Sequence, residues 1–94
     1  MIGRDRVDSN QEIEQGLEAK YILESDVYKK AMQTLSDSYM GHWMNSRPNE
    51  VAERERAYTK IQILAEFVNE VKTVMETGKM AEHEKAKEEL GTHY

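Results

Sequence analysis

The sequence predicts an all-α fold: an antiparallel helical hairpin of two long helices, with a short N-terminal helix and a partly flexible C-terminal helical tail. Apolar residues recur three and four positions apart over most of the chain, as on the packed face of an α-helix. The only proline, Pro48, lies between the two longest apolar stretches. The 94 residues contain no cysteine, so disulfides cannot stabilise this small domain, and packing between chains is the expected source of stability. The predicted organisation is an N-terminal arm (1–10), a hairpin domain (11–78) and a charged tail (79–94).

The first ten residues are polar and lack a helical period, so we expect them to form a flexible arm. Ser9 followed by Glu12 matches a capping box, which starts a helix. Apolar residues then recur at helical spacing: Ile13, Leu17 and Tyr21. A short helix is therefore predicted from about Asn10 to Glu24, weakened by about 1 kcal/mol because Gly16 replaces a better helix former.

The second helix is predicted from Ser25 and Asp26 to about Asn45. Ser25 suits the N-cap, and the carboxylate of Asp26 suits the first turn, where the helix dipole is positive. One apolar face about 160° wide follows. Its members are Tyr28, Ala31, Met32, Leu35, Tyr39, His42 and Trp43. The helix must end before Pro48, because the residue before a proline is disfavoured in the helical conformation.

The third helix is predicted to begin at or just after Pro48, capped by Ser46 or Asn49, and to run to Thr77. Gly78 is expected to end it in the left-handed conformation. Because the connection before it is so short, the second and third helices are predicted to be antiparallel neighbours.

The segment after Gly78 is predicted to form a terminal helix that frays or depends on a partner. Residues 80–90 favour helix and contain charged residues at pairing distances, but few of them are apolar. Such a helix has little surface to bury, and we expect it to end at Gly91.

The apolar residues of the third helix are too widely spread for one packing partner. Between Ala57 and Met75 they cover an arc of about 220°. Ile63, Phe67 and Val74 lie on one flank of this arc. The helix must therefore contact at least two other elements, and we expect some of them to come from a second copy or another protein.

The second helix also carries candidate contact residues. Met40 and Met44 share a face away from Leu35, and their flexible thioethers suit an adaptable surface. Together with the flank of the third helix, they give the predicted interface: Met40, Trp43, Met44, Ile63, Phe67 and Val74. For Met40, Trp43, Met44 and Phe67, packing inside the hairpin remains an equally good interpretation.

The residues show no pattern of a catalytic, cofactor or metal site. His42, His83 and His93 lack the spacing or the cysteine partners of a zinc site. Carboxylate pairs such as Glu66 and Glu70 fall on the polar arc of the third helix, where solvated charge is the favoured interpretation. We expect no enzymatic activity, no cofactor and no metal.

The net charge of −5 is spread along the chain. The densest basic residues alternate with acidic ones: Arg47, Arg54, Arg56 and Lys60 with Glu50, Glu53 and Glu55. Because phosphate binding requires clustered cations, nucleic acid is not an expected partner. No stretch reaches the ~18 apolar residues of a membrane span, and the start lacks an apolar signal core, so we expect a cytosolic protein without membrane contact.

Several motifs between Tyr21 and Ala81 follow one order. They are Glu-Ser-Asp (24–26), a helix with Leu35, Tyr39 and Trp43, Asn-Ser-Arg-Pro-Asn-Glu (45–50), Arg54-Glu55, and a helix closing at Thr77-Gly78-Lys79. This order resembles small uncharacterised helical proteins encoded in the structural gene blocks of tailed bacteriophages. The resemblance implies a role in virion assembly, as a head or connector accessory, a scaffold-like or decoration protein, or a packaging component, and it implies no catalytic residue.

The function predicted from these observations is that of a non-enzymatic interaction protein in virion assembly. Its expected partners are further copies of itself, a larger phage structural protein, or both. Its expected location is the host cytoplasm during assembly, or the virion. The alternative is a small regulatory adaptor that binds a host or phage enzyme, or a DNA-packaging component similar to a small terminase subunit.

Overall fold

The computed structural model describes residues 9–91. They form three α-helices and no β-strand: α1 (Ser9–Glu24), α2 (Asp26–Met44) and α3 (Val51–Gly91). The predicted all-α class is confirmed. Of the predicted N-terminal arm, residues 1–8 lie outside the described residues, whereas Ser9 and Asn10 are helical. Two compact units are formed, one by Glu24–Glu70 and the other by the described parts of Met1–Leu23 and Val71–Tyr94.

The start of α2 agrees with the prediction. Ser25 has an extended backbone, with φ −66° and ψ 132°, and its side chain accepts a hydrogen bond from the Tyr28 N–H at 3.3 Å. The Lys29 N–H donates to the Ser25 carbonyl at 3.0 Å, which is the first helical bond. Ser25 is therefore the N-cap, and Asp26 stands in the first turn where its charge is favourable.

Pro48 lies in a tight turn between α2 and α3, not in the first turn of a helix. The Glu50 N–H donates to the Arg47 carbonyl at 2.9 Å, which places Pro48 second in a four-residue turn. The fixed φ of proline suits that position. α3 begins at Val51, three residues after Pro48, so a start at Pro48 itself is wrong, and the residue before the helix is Glu50, not the predicted cap Asn49.

Two polar side chains hold this turn. Ser46 Oγ donates to the Trp43 carbonyl at 2.8 Å. Ser46 therefore supplies a hydrogen bond to a backbone carbonyl at the end of α2 and does not cap α3. Arg54 Nη1 reaches back from α3 and donates to the Arg47 carbonyl at 2.9 Å and to Ser46 Oγ at 3.5 Å. These bonds connect the first turn of α3 to the end of α2.

The third helix does not end at Gly78. α3 runs through this residue to Gly91, so the predicted left-handed cap is wrong, and the expected terminal helix is the continuation of α3. Gly78 is buried where α3 crosses α1: a Cβ atom built on it would lie 2.7 Å from Gly16 Cα and 2.8 Å from the Glu12 carbonyl oxygen. Glycine here permits close approach of two helices and serves no turn.

In the unit that contains α1, the two helices run antiparallel. Asn10 Oδ1, at the start of α1, accepts a hydrogen bond from Lys85 Nζ, and Gly16 further along α1 meets Gly78 earlier in α3. The buried apolar residues of the described chain are all alanines: Ala19, Ala57 and Ala81. No large side chain among residues 9–91 is fully buried.

Candidate interaction surfaces

All six residues of the predicted interface are exposed in a single chain. Their exposed fractions are Met40 40%, Trp43 42%, Met44 69%, Ile63 58%, Phe67 52% and Val74 38%. By contrast, the centre of the apolar arc of α3 is half-buried, at Ile61, Leu64 and Val68. Packing within the chain therefore covers the centre of this arc and leaves its flank to solvent.

A shallow groove of about 390 Å³ runs between α2 and the first part of α3. It is lined by Gly41, His42, Asn45, Ser46, Glu50, Glu53, Arg56, Ala57 and Lys60. Lys60 Nζ lies 5.7 Å from the centre of the Tyr39 ring, within the range of a cation–π contact. Arg56 donates to Glu53 at 3.1 Å, with both side chains exposed. The groove is open and carries charges of both signs, so it offers neither a phosphate site nor a dry site for acid–base catalysis.

Ile63 and Phe67 form a surface that we name the phenylalanine face. Ile63 lies three residues after Lys60 and Phe67 lies seven after it, spacings that return to the same side of a helix. Because Lys60 lines the groove, the phenylalanine face lies on the groove side of α3. Along α3, the two exposed apolar side chains of this face come after the charged residues that line the groove.

Met40, Trp43 and Met44 form a second surface, which we name the methionine–tryptophan face. The groove is lined by Gly41 and His42, and none of the three members of this face lines it. Residues three and four apart share one side of a helix, so Met40, Trp43 and Met44 point together to the other flank of α2. Five of the six predicted interface residues are therefore divided between these two surfaces.

Val74 belongs to the unit that contains α1. It lies in a shallow groove of about 370 Å³, lined by Gln15, Glu18, Ala19, Ile22, Val71 and Val74. Ile22, which is 46% exposed and is not among the predicted contact residues, lines the same groove.

The close crossing of α1 and α3 is not among the predicted features. A Cβ atom on Gly16 would lie 2.8 Å from Gly78 Cα, so both helices need glycine there. Each helix carries the pattern Gly-x-x-Ala, in Gly16 to Ala19 and in Gly78 to Ala81, and all four residues are buried. Two such patterns in one chain are the signal that could have indicated a close helix crossing.

The described part of the chain has neither a cluster of metal-ligating side chains nor a helix that could span a bilayer. Residues 9–91 contain no group of three or more histidine, aspartate or glutamate side chains that could hold a metal ion. His93 lies outside the described residues. None of the described helices has both the length and the apolar character needed to cross a bilayer.

No family model matches the chain, and no curated protein or solved structure matches it. The resemblance to phage proteins therefore stays a prediction. The chemistry of the exposed surfaces carries the functional argument.

Proposed function

We propose that this chain is a non-enzymatic helical interaction protein that acts by self-association or by docking on a larger protein. The observation that carries the proposal is the distribution of apolar side chains. Phe67, Ile63 and Met44 are each more than half exposed, whereas the apolar residues that are buried among residues 9–91 are alanines. Grouped exposed apolar side chains favour association, because covering them removes apolar area from water.

The scaffold within this proposal is an antiparallel hairpin of α2 and the first part of α3. Three observations support this hairpin: the connection at 45–50 has only six residues, Arg54 donates hydrogen bonds to that connection, and Lys60 lies over the Tyr39 ring. A hairpin of this kind presents the phenylalanine face on one side and the methionine–tryptophan face on the other.

The proposed setting is virion assembly in a tailed bacteriophage. This setting depends on the resemblance of the segment from Tyr21 to Ala81 to phage proteins. In this setting the two surfaces have separate uses. One pairs copies of the chain, and the other contacts a larger structural protein. Aromatic and methionine side chains, such as Trp43 and Met40, are enriched in such contact surfaces.

Size-exclusion chromatography with light scattering at micromolar concentration tests self-association. We expect a mass of at least twice the 11.0 kDa of one chain. A monodisperse, thermally stable monomer would contradict it. DNA binding titrated with salt tests the packaging alternative, because phosphate contacts lose affinity steeply as salt rises.

A further inference from the structure

We propose that the phenylalanine face pairs α3 with α3 of a second copy of this chain, antiparallel and around a two-fold axis at the level of Ala65. The inference rests on the proposed self-association and specifies its geometry. The occupant of the face is thus an identical face, as in other isologous dimers.

The exposed residues around the phenylalanine face have the spacing of a helix-pairing surface. Lys60, Ile63, Phe67 and Glu70 follow one another at steps of three, four and three residues, which is the repeat of a helix-pairing seam. At 100° per residue they fall within an arc of about 80°. All four are exposed, and all four belong to the unit Glu24–Glu70.

The charged and apolar residues of this seam are placed symmetrically about Ala65. Ile63 and Phe67 each lie two residues from Ala65, and Lys60 and Glu70 each lie five residues from it. In an antiparallel pair centred there, Ile63 meets Phe67 of the second copy, and Lys60 meets its Glu70. Each contact occurs twice, so the dimer has an apolar centre with an ion pair at either end.

The Lys60 ammonium lies over the Tyr39 ring of its own chain, a contact that does not give it an opposite charge. Neither Lys60 nor Glu70 forms an ion pair within the part of the chain that the structure describes. A parallel pairing of the same seam would place Lys60 against Lys60 and Glu70 against Glu70. Like charges at facing positions are unfavourable, so the charge pattern selects the antiparallel arrangement.

Cross-linking between two single-cysteine proteins tests the geometry, because the natural chain has no cysteine. The proteins are Lys60→Cys and Glu70→Cys, both at exposed positions. A cross-linker of about 8 Å spans the axes of two packed helices. In the antiparallel pair, two copies of position 60 lie about 15 Å apart along the axis, beyond its reach. We expect a covalent dimer from the mixture of the two proteins and none from either protein alone.

The outcomes separate this geometry from self-association in general. Covalent dimers from each protein alone would show parallel pairing and overturn the inference. If light scattering gives a dimer but no sample is cross-linked, the antiparallel seam is wrong and the proposed function stands. If the unmodified chain is a monomer, the antiparallel pair and the proposed self-association both fail, and docking on a larger protein is the part of the proposed function that stands.

Charge reversal provides a second readout. Lys60→Glu and Glu70→Lys should each weaken dimerisation about tenfold at low salt, because each creates two facing like charges. The double variant should restore the affinity of the natural chain, since it exchanges the partners of each ion pair. A double variant that is weaker than both single variants would contradict the proposal.

Discussion

Replacing Phe67 with serine should separate association from folding. A phenylalanine presents roughly 200 Å² of surface, and 52% of Phe67 is exposed, so a partner can cover about 100 Å² per chain. At about 25 cal/mol per Å², this surface stabilises association by at most about 2.5 kcal/mol per chain and about 5 kcal/mol per dimer. Even if the partner covers only part of the Phe67 ring, Phe67→Ser should raise the dissociation constant of the dimer at least about 100-fold.

Sedimentation equilibrium over a range of concentrations measures this constant, and far-UV circular dichroism reports helix content. The matched control is Tyr58→Ser. Tyr58 is 55% exposed and lies on the same helix, directly after Ala57. It points to the flank of α3 opposite to that of Arg56, and Arg56 lines the groove. Phenylalanine, tyrosine and serine have similar helix propensities, so neither change should alter helicity directly.

Two results would refute this reasoning. Equal loss of association in both variants would place the contact outside the phenylalanine face. Loss of helicity together with association in Phe67→Ser would mean that the ring stabilises the fold of a single chain, despite its exposure.

Three further comparisons between variants test the fold by urea denaturation. Gly16→Ala should lower the free energy of unfolding by about 1–3 kcal/mol, because its Cβ would meet the backbone of α3 at 2.8 Å. Gly41→Ala, whose Cβ would have nothing within 4 Å, should raise the free energy of unfolding by about 1 kcal/mol. The opposite order would disprove the close crossing. Ser25→Ala should cost about 1 kcal/mol by removing the cap of α2, and aspartate at that position should restore most of it. Arg54→Gln should cost about 1 kcal/mol through its lost bonds to the turn, whereas Arg56→Gln, which loses an exposed pair, should stay within about 0.5 kcal/mol.

The parts of the fold that depend on neighbouring residues could be predicted from the sequence. Ser25 and Asp26 start α2 through contacts within one helical turn, so their residue types are sufficient. Gly78 could not be interpreted in this way, because glycine suits a helix end and a close crossing equally well. Its role is decided by Gly16, which lies far away in the sequence.

The same distinction applies to the contact residues. The helical period alone places Ile63 and Phe67 on one flank of α3, and the structure leaves both exposed. The period cannot give the rotation of α2 about its own axis relative to α3. For that reason the sequence joined Met40 and Trp43 with Phe67 in one interface, whereas the groove between the helices assigns them to separate surfaces.

The glycine crossing also makes α1 sensitive to length. Gly16 and Ala19 are both buried because they lie one helical turn apart on the same side. A single residue inserted between them would rotate Ala19 by about 100° away from α3. Side chains could not adapt to this shift, since the surfaces that touch at Gly16 are main chain. The outer side of α1 should therefore accept many substitutions, while one added or deleted residue inside the helix should undock it.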